Sequence, residues 1–409
     1  MFRRTGALRD PVTLSLDGSP IQAERGEPIA VAMLATDTFI LARSPKLHRP
    51  HAPSCLRGGC DGCLMRVGGT PNVMTCLVPA AGGEQIETQN VVGSRQADLL
   101  RVTDWFFPKG IDHHHLMAGV PGLGAVMQTF ARKVAGLGRM PTEGEPAREA
   151  RRVEADAAIV GGGVAGLAIA RRLSSKGVSV VLVDDGLALG SALGPTELGA
   201  PGVQVFSRAT AAGVYLGEIL VASLEEAVVV RAKAKIFATG AHDGMLAFPG
   251  NDMPGVFSAR ALCVLAARGI VPDGPVVLAG EGFWADELER RLGGGEAVVR
   301  VEAESIAGVE GTAGVKRVLV RTHGSEASIK AEILALALPG APAFEVAAQA
   351  GAEVRYVPDR GYAVVCDERG RAGEGLWAAG ECTGSDFEPA AIEAEALRVA
   401  DDVLAYLGR

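Results

Sequence analysis

The chain has 409 residues, a formal net charge of −8, 48% hydrophobic residues and 22% charged residues. That composition suits two or three packed domains, and the acidic balance argues against nucleic acid as a general partner. No apolar run reaches the roughly 18–20 residues that span a bilayer, and with 5% aromatic residues base-stacking platforms are not expected.

From Val12 the sequence reads as a hairpin followed by a helix. VTLSLDG alternates, Asp17 and Gly18 signal a tight turn, PIQAERG returns, and GEPIAVAMLA is a short apolar helix. Residues 43–51 are basic, with Arg43, Lys46, His48 and Arg49, and read as a solvated loop or a docking surface for an acidic redox partner. Then come Cys55, Cys60, Cys63 and Cys76, spaced C-x4-C-x2-C-x12-C. The first three match the plant-type 2Fe-2S run. A cluster needs four soft sulfur ligands converging on a small volume, and one tight loop plus a later cysteine supplies them. Gly58, Gly59 and Gly62 let the loop wrap, with φ > 0 where a side chain would clash. Structural zinc prefers C-x2-C pairs, and only one is present. Disulfides need an oxidising compartment, and the opening MFRRTGALRD has no signal-peptide pattern, so a cytoplasmic setting is expected. With a closing strand near Ile86, residues 1–90 are expected to form a β-grasp 2Fe-2S domain.

Residues 91–152 read as a helical connector. Val126, Phe130 and Val134 have helical spacing, and TEGEPAREARR reads as an exposed linker. His113, His114 and His115 are adjacent, so no regular element points them the same way, and a loop or interface role is expected.

From Val153 the pattern is strand, helix, strand. An apolar strand over 157–160 leads into Gly161-x-Gly163-x-x-Gly166, with Val164 and Ala165 opening a helix to Ser174. A second strand ends at Asp184 and Asp185, about 20 residues on, as the dinucleotide fingerprint requires. Gly161 makes the turn, Gly163 lets backbone approach the pyrophosphate, and Gly166 permits close helix–strand packing. The helix N-terminus attracts the anion, and either aspartate would take the ribose hydroxyls. Ala238, Thr239 and Gly240 follow another strand, and LWAAGECTG brings Gly380 and Glu381 ahead of a helix over 389–407. Between them Gly280-x-Gly282-x-x-Ala285 has Phe283 and Trp284 in the phosphate turn. It is expected to be a vestigial second dinucleotide fold with a helix of barely two turns. Cys263, Cys366 and Cys382 are expected to be packing residues.

In this order, a four-cysteine β-grasp domain, a connector, the fingerprint, ATGAHDGMLAFPGNDMPGVFSARAL and AAGECTG resemble the α subunits of heteromeric sarcosine oxidases. They also resemble the related subunits of hydrogen cyanide synthase, opine oxidase and dye-linked proline or hydroxyproline dehydrogenases. FPGNDMPGV and AGLGRMP carry much of the match. The resemblance implies an α/β chain: the 2Fe-2S domain, then a Rossmann-like flavoprotein fold of two dinucleotide-binding parts over 153–409. The FAD part would be 153–255 with 360–409, and the degenerate NAD-like part 256–359. In such flavoproteins Asp usually stands where this chain has Glu381, beside the flavin ribityl and pyrophosphate.

The resemblance also implies FAD at the fingerprint, with NAD or ATP there as the alternative, and in some members FMN at a subunit interface. It implies a β subunit resembling D-amino acid oxidase that carries its own FAD and oxidises a secondary amine or amino acid, and a small additional subunit in some complexes. This chain would relay electrons through 2Fe-2S and FAD, with any membrane association peripheral and through partners. The sequence lacks the aminomethyltransferase-like domain of long sarcosine oxidase α subunits, so no folate step is implied. Two other readings stay open: a self-contained NAD(P)H-dependent ferredoxin-type reductase, and a structural subunit holding an inert nucleotide.

Overall fold

The computed structural model describes every residue except 45–46, 103–104, 106–122, 125, 127–148, 191–192, 295–297 and 323. Lys46, His113, His114, His115, Phe130, Val134, AGLGRMP and most of TEGEPAREARR lie outside the described residues.

The N-terminal unit is a five-stranded sheet ordered Ser19–Glu24, Pro11–Leu16, Gln85–Glu87, Leu64–Val67 and Thr70–Met74. Asp17 at φ 48° and Gly18 at φ 82° make the hairpin turn, where both central residues need positive φ. Val12, Leu14 and Leu16 alternate inward along the strand. The helix Ile29–Ala35 is buried from Ile29 through Leu34. A helix that is apolar all round must be covered on both sides. Here the sheet covers one side and the C-terminal part of the chain the other: Ile29, Met33 and Leu41 share one core with Phe257, Leu262 and Ile270. The strand Phe2–Arg4 seals this junction by pairing antiparallel with Ile270–Pro272, and Phe2 meets Phe257 edge-on at 5.6 Å.

The second unit has an eight-stranded sheet. Its parallel part runs Val203–Ser207, Val180–Asp184, Arg151–Val160, Ala227–Phe237 and Leu376–Ala378. The antiparallel strands Glu218–Ala222 and Thr210–Tyr215 extend one end. The helices Val164–Ser174 and Pro389–Tyr406 pack together on one face through Ile169, Leu173, Ala396 and Val399. Three parallel strands therefore deliver Gly161, Ala238 and Ala379 to one sheet end, where open α/β sheets bind ligands.

The third unit is a four-stranded parallel sheet, ordered Val256–Ser258, Ile333–Ala337, Val276–Gly280 and Val298–Val301. Its helix Phe283–Leu292 spans 10 residues, longer than the two turns the sequence suggests. Two features sustain it. Gly293 closes it in the left-handed conformation, and Glu287 pairs with Arg290 and Arg291 along its face. No helix among the described residues is long and apolar enough to cross a membrane.

Candidate functional site

The cysteine loop connects the short strand Pro50–His51 to Leu64–Val67. Cys55, Cys63 and Cys76 are buried and Cys60 is half-buried. The thiols form two pairs: Cys55 Sγ lies 3.4 Å from Cys60 Sγ, and Cys63 hydrogen-bonds Cys76. The Arg57 and Gly59 amides donate to Cys55 Sγ at 3.4 and 3.3 Å. The hydrogen bond within the pair lowers the Cys60 thiol against the opposing effect of burial and raises the Cys55 thiol. A mononuclear ion needs its ligands around one point. Two pairs instead match two irons sharing four thiolates, and the residues fit a 2Fe-2S group.

The loop's glycines act differently from expectation. Gly58 alone of the three has positive φ, at 78°. Gly62 is needed for space, since a Cβ there would stand 2.0 Å from the Ala52 carbonyl oxygen. Leu56, not a glycine, takes a second positive φ, 54°.

Two of the basic residues before the cysteines, Arg43 and His48, are not solvated. Arg43 is 5% exposed and His48 fully buried. His48 Nδ1 lies 2.8 Å from Asp98 Oδ2, and the Arg43 guanidinium donates to the carbonyls of His48 and Arg95. These charges pin the start of the connector onto the N-terminal unit. A buried charge is stable only when paired, and Asp98 is the carboxylate in this cluster.

At the fingerprint, Gly161 has φ 106°, and a Cβ would meet the Ala238 carbonyl oxygen at 2.1 Å. A Cβ on Gly166 would stand 1.8 Å from the Gly161 carbonyl oxygen, whereas one on Gly163 would meet nothing within 4 Å. The first contacts enforce close packing, and the open space beside Gly163 is where a pyrophosphate can approach. The helix Val164–Ser174 has no side-chain cap, leaving the N–H groups of its first turn for a ligand. Asp184 accepts from the amides of Gly162 at 2.6 Å and Gly186 at 3.0 Å. Burial pushes its carboxyl up and these amides oppose the shift. Asp185 beside it is exposed.

Both features open into one cavity of about 470 Å³. Cys55, Cys60 and Cys76 line one end; Gly161, Asp184, Thr239, Gly240 and Glu381 line the other. Between them stand residues that sequence reading did not single out. Arg57 donates to Ala241 O at 3.0 Å and Asp243 Oδ1 at 2.8 Å. Asp243 accepts from Ser258 Oγ at 2.7 Å and lies 3.5 Å from Arg260 Nε. Arg260 donates to Glu381 Oε1 at 2.6 Å. Arg57 Nε and Arg260 Nε are buried without a hydrogen-bond acceptor among the described residues. Such donors on the wall of a nucleotide-sized cleft fit a ligand that brings oxygen or ring-nitrogen acceptors.

In the second dinucleotide-like turn Glu281 and Gly282 are exposed, and the aromatic residues after them pack inward. Trp284 stacks on Phe387 at 4.6 Å, Phe283 packs against both, and the Arg260 guanidinium lies over the Trp284 ring. Cys382 is buried, its thiol pushed up to about 12 by burial, and it donates to the carbonyls of Phe237 and Ala379. Cys263 is pushed up to about 12 by burial, and Cys366 is raised by the same cause.

Residues 9–91 match a 2Fe-2S iron-sulfur cluster binding domain, and residues 159–208 match an NAD(P)-binding Rossmann-like domain. The sarcosine oxidase subunit alpha of Rhizobium meliloti is 30% identical over 348 residues, covering 73% of this chain and 35% of that protein. Over 73% of its length the chain is thus similar to a sarcosine oxidase α subunit. A second sarcosine oxidase α subunit, from Corynebacterium sp., is 26% identical over 291 residues, covering 62% of this chain and 26% of that one. The chain spans about a third of the length of these curated α subunits. The crystal structure of L-proline dehydrogenase from P. horikoshii shares the fold, with a TM-score of 0.73 at 22% identity over 99% of this chain and 76% of that one. The chain therefore combines a match to a 2Fe-2S domain with a match to a Rossmann-like dinucleotide-binding domain.

Proposed function

We propose that this chain is the electron-transfer subunit of a heteromeric enzyme oxidising the CH–NH group of a secondary amine or amino acid. Substrate oxidation occurs on a partner subunit resembling D-amino acid oxidase. The observation that carries this reading is the single cleft, lined at one end by the cysteine loop and at the other by the fingerprint turn. A 2Fe-2S cluster supplies one-electron transfer and FAD joins one- to two-electron steps when bound.

In this reading the 1–90 unit holds the cluster through Cys55, Cys60, Cys63 and Cys76. The 153–255 and 360–409 segments hold FAD. Gly161, Gly163 and the amides of Val164 and Ala165 cradle the pyrophosphate, with Gly166 holding the helix close. Asp184, braced by two loop amides, fixes the turn and leaves exposed Asp185 free to reach ribose hydroxyls. Ala238, Thr239, Gly240 and Gly380 supply close backbone, and Glu381 is held by Arg260. Exposed acidic Glu281 in the second turn, where the first has Gly162, supports entry of electrons from a partner and not from a nicotinamide nucleotide.

The test is amine-dependent dye reduction by the purified complex. Activity should disappear when the partner subunit is omitted and return when it is added back. Amine oxidation by this chain alone would overturn the reading. An anaerobic absorption spectrum should show flavin bands over a broad iron–sulfur envelope, bleaching in separate steps with dithionite.

A further inference from the structure

Four charged side chains cross the cleft in alternating sign: Arg57, Asp243, Arg260 and Glu381. Arg57 sits between the ligand positions Cys55 and Cys60, and its own amide donates to Cys55 Sγ. Its guanidinium reaches Asp243 on the dinucleotide side. Asp243 is 7% exposed, held by Ser258, and lies 3.5 Å from Arg260. Arg260, also 7% exposed, ends the chain at Glu381 beside the turn of Gly240. Each residue comes from a different segment: the cysteine loop, the segment after Gly240, the helix Ala259–Ala266 and the turn after Leu376–Ala378. Asp243, Arg260 and Glu381 are nearly withdrawn from water, so their charges are weakly screened, whereas Arg57 at the cysteine end is 27% exposed. Nothing about packing alone requires four ionised groups in line, and burying them is costly unless their charges serve one another.

We propose that this chain of charges couples the oxidation state of the cluster to the dinucleotide site, with Arg57 as the positioning residue at the cluster end. The inference rests on the presence of the cluster assigned under the proposed function. Reduction adds one electron to the four-thiolate group. A positive neighbour favours the reduced form and a negative neighbour opposes it, so Arg57 raises the potential and Asp243 lowers it. Glu381 acts in the same sense as Asp243 but more weakly, through Arg260.

The test is potentiometry of the full chain, followed by the EPR signal of the reduced cluster. Arg57→Gln should lower the midpoint, Asp243→Asn should raise it, and Glu381→Gln should raise it by less. For the first two the expected change is about tenfold in the reduced-to-oxidised ratio at fixed ambient potential, about 59 mV for a one-electron couple. Arg57→Lys keeps the charge and should return the midpoint most of the way to wild type, which separates the charge effect from loosening of the loop. Equal midpoints in all variants, or shifts of one sign throughout, would overturn the coupling. A wild-type chain with no cluster signal on reduction would instead overturn the cofactor assignment on which the coupling rests.

Discussion

Arg260 lies over the face of Trp284, 4.7 Å from the ring centroid, and Phe387 stacks against the same indole. The turn after the strand Val276–Gly280 carries exposed Glu281 where the first turn has Gly162, and an acidic residue there opposes the approach of a second nucleotide's phosphates to the helix N-terminus. NADH and NADPH should therefore fail to bleach the flavin rapidly in anaerobic stopped-flow measurements. Fast bleaching would favour the self-contained reductase instead. Trp284→Ala should cost about 3–5 kcal/mol, the usual penalty for emptying an aromatic core site, and lower Tm accordingly.

Replacing Cys60 or Cys76 with serine should abolish the cluster's absorbance and EPR signal while the fingerprint site still retains its nucleotide. Cys382→Ser should leave the cluster signal intact, because its thiol faces the carbonyls of Phe237 and Ala379 and lies apart from the cysteine loop. Quantifying iron, labile sulfide and released nucleotide in each variant checks both statements. Loss of cluster in the Cys382 variant would contradict the packing role.

Gly166→Ala drives a methyl into the Gly161 carbonyl oxygen, 1.8 Å from the ideal Cβ position. The helix Val164–Ser174 must move off the strand, so the variant should lose bound nucleotide and about 1–3 kcal/mol of stability, the range of an overpacked site. Gly163→Ala meets no protein atom and should fold normally while weakening nucleotide binding. Denaturant unfolding combined with nucleotide release separates the two effects.

Asp402 tests pH dependence. It accepts from Arg371 and from the buried Trp377 indole at 3.0 Å, and the Arg371 hydrogen bond holds its carboxyl below the usual range. A carboxylate depressed in the folded state stabilises fully above its unfolded pKa of about 3.9, and that contribution fades as pH falls toward the folded value. Asp402→Asn should therefore lower Tm at pH 7, and the gap to wild type should narrow at pH 3. A gap independent of pH would show that the ionised form does not matter. Asp402→Ala leaves the Trp377 N–H unsatisfied, a further cost of about 1–3 kcal/mol.

What was legible in the sequence was whatever short spacing encodes. The four cysteines, the glycine turn at 161–166, the helix ending at Ser174 and the hairpin at Asp17 each depend on neighbours a few residues away. Remote partners hid the charges: His48, read with a basic stretch, finds Asp98 50 residues on, and Arg260, not singled out at all, finds Glu381 121 residues on. A run of basic residues resembles a solvated face until the fold supplies a carboxylate and covers it. The length of the helix Phe283–Leu292 was underestimated because bulky aromatics in the phosphate turn suggested a broken motif, whereas Trp284 packs inward against Phe387 and leaves the helix intact.

The strand Phe2–Arg4, paired with Ile270–Pro272, sets an order of assembly. Closing so long a loop adds little entropy beyond a shorter one, because the cost grows only with the logarithm of length. Timing is another matter. A nascent chain emerges from its N-terminal end, so the cysteine loop leaves the ribosome long before the strand that anchors its domain has been made. Until Ile270–Pro272 appears, the apolar helix Ile29–Ala35 has only the small N-terminal sheet to cover it. Only the finished C-terminal sheet completes the core around that helix and closes the cleft that the cysteine loop lines.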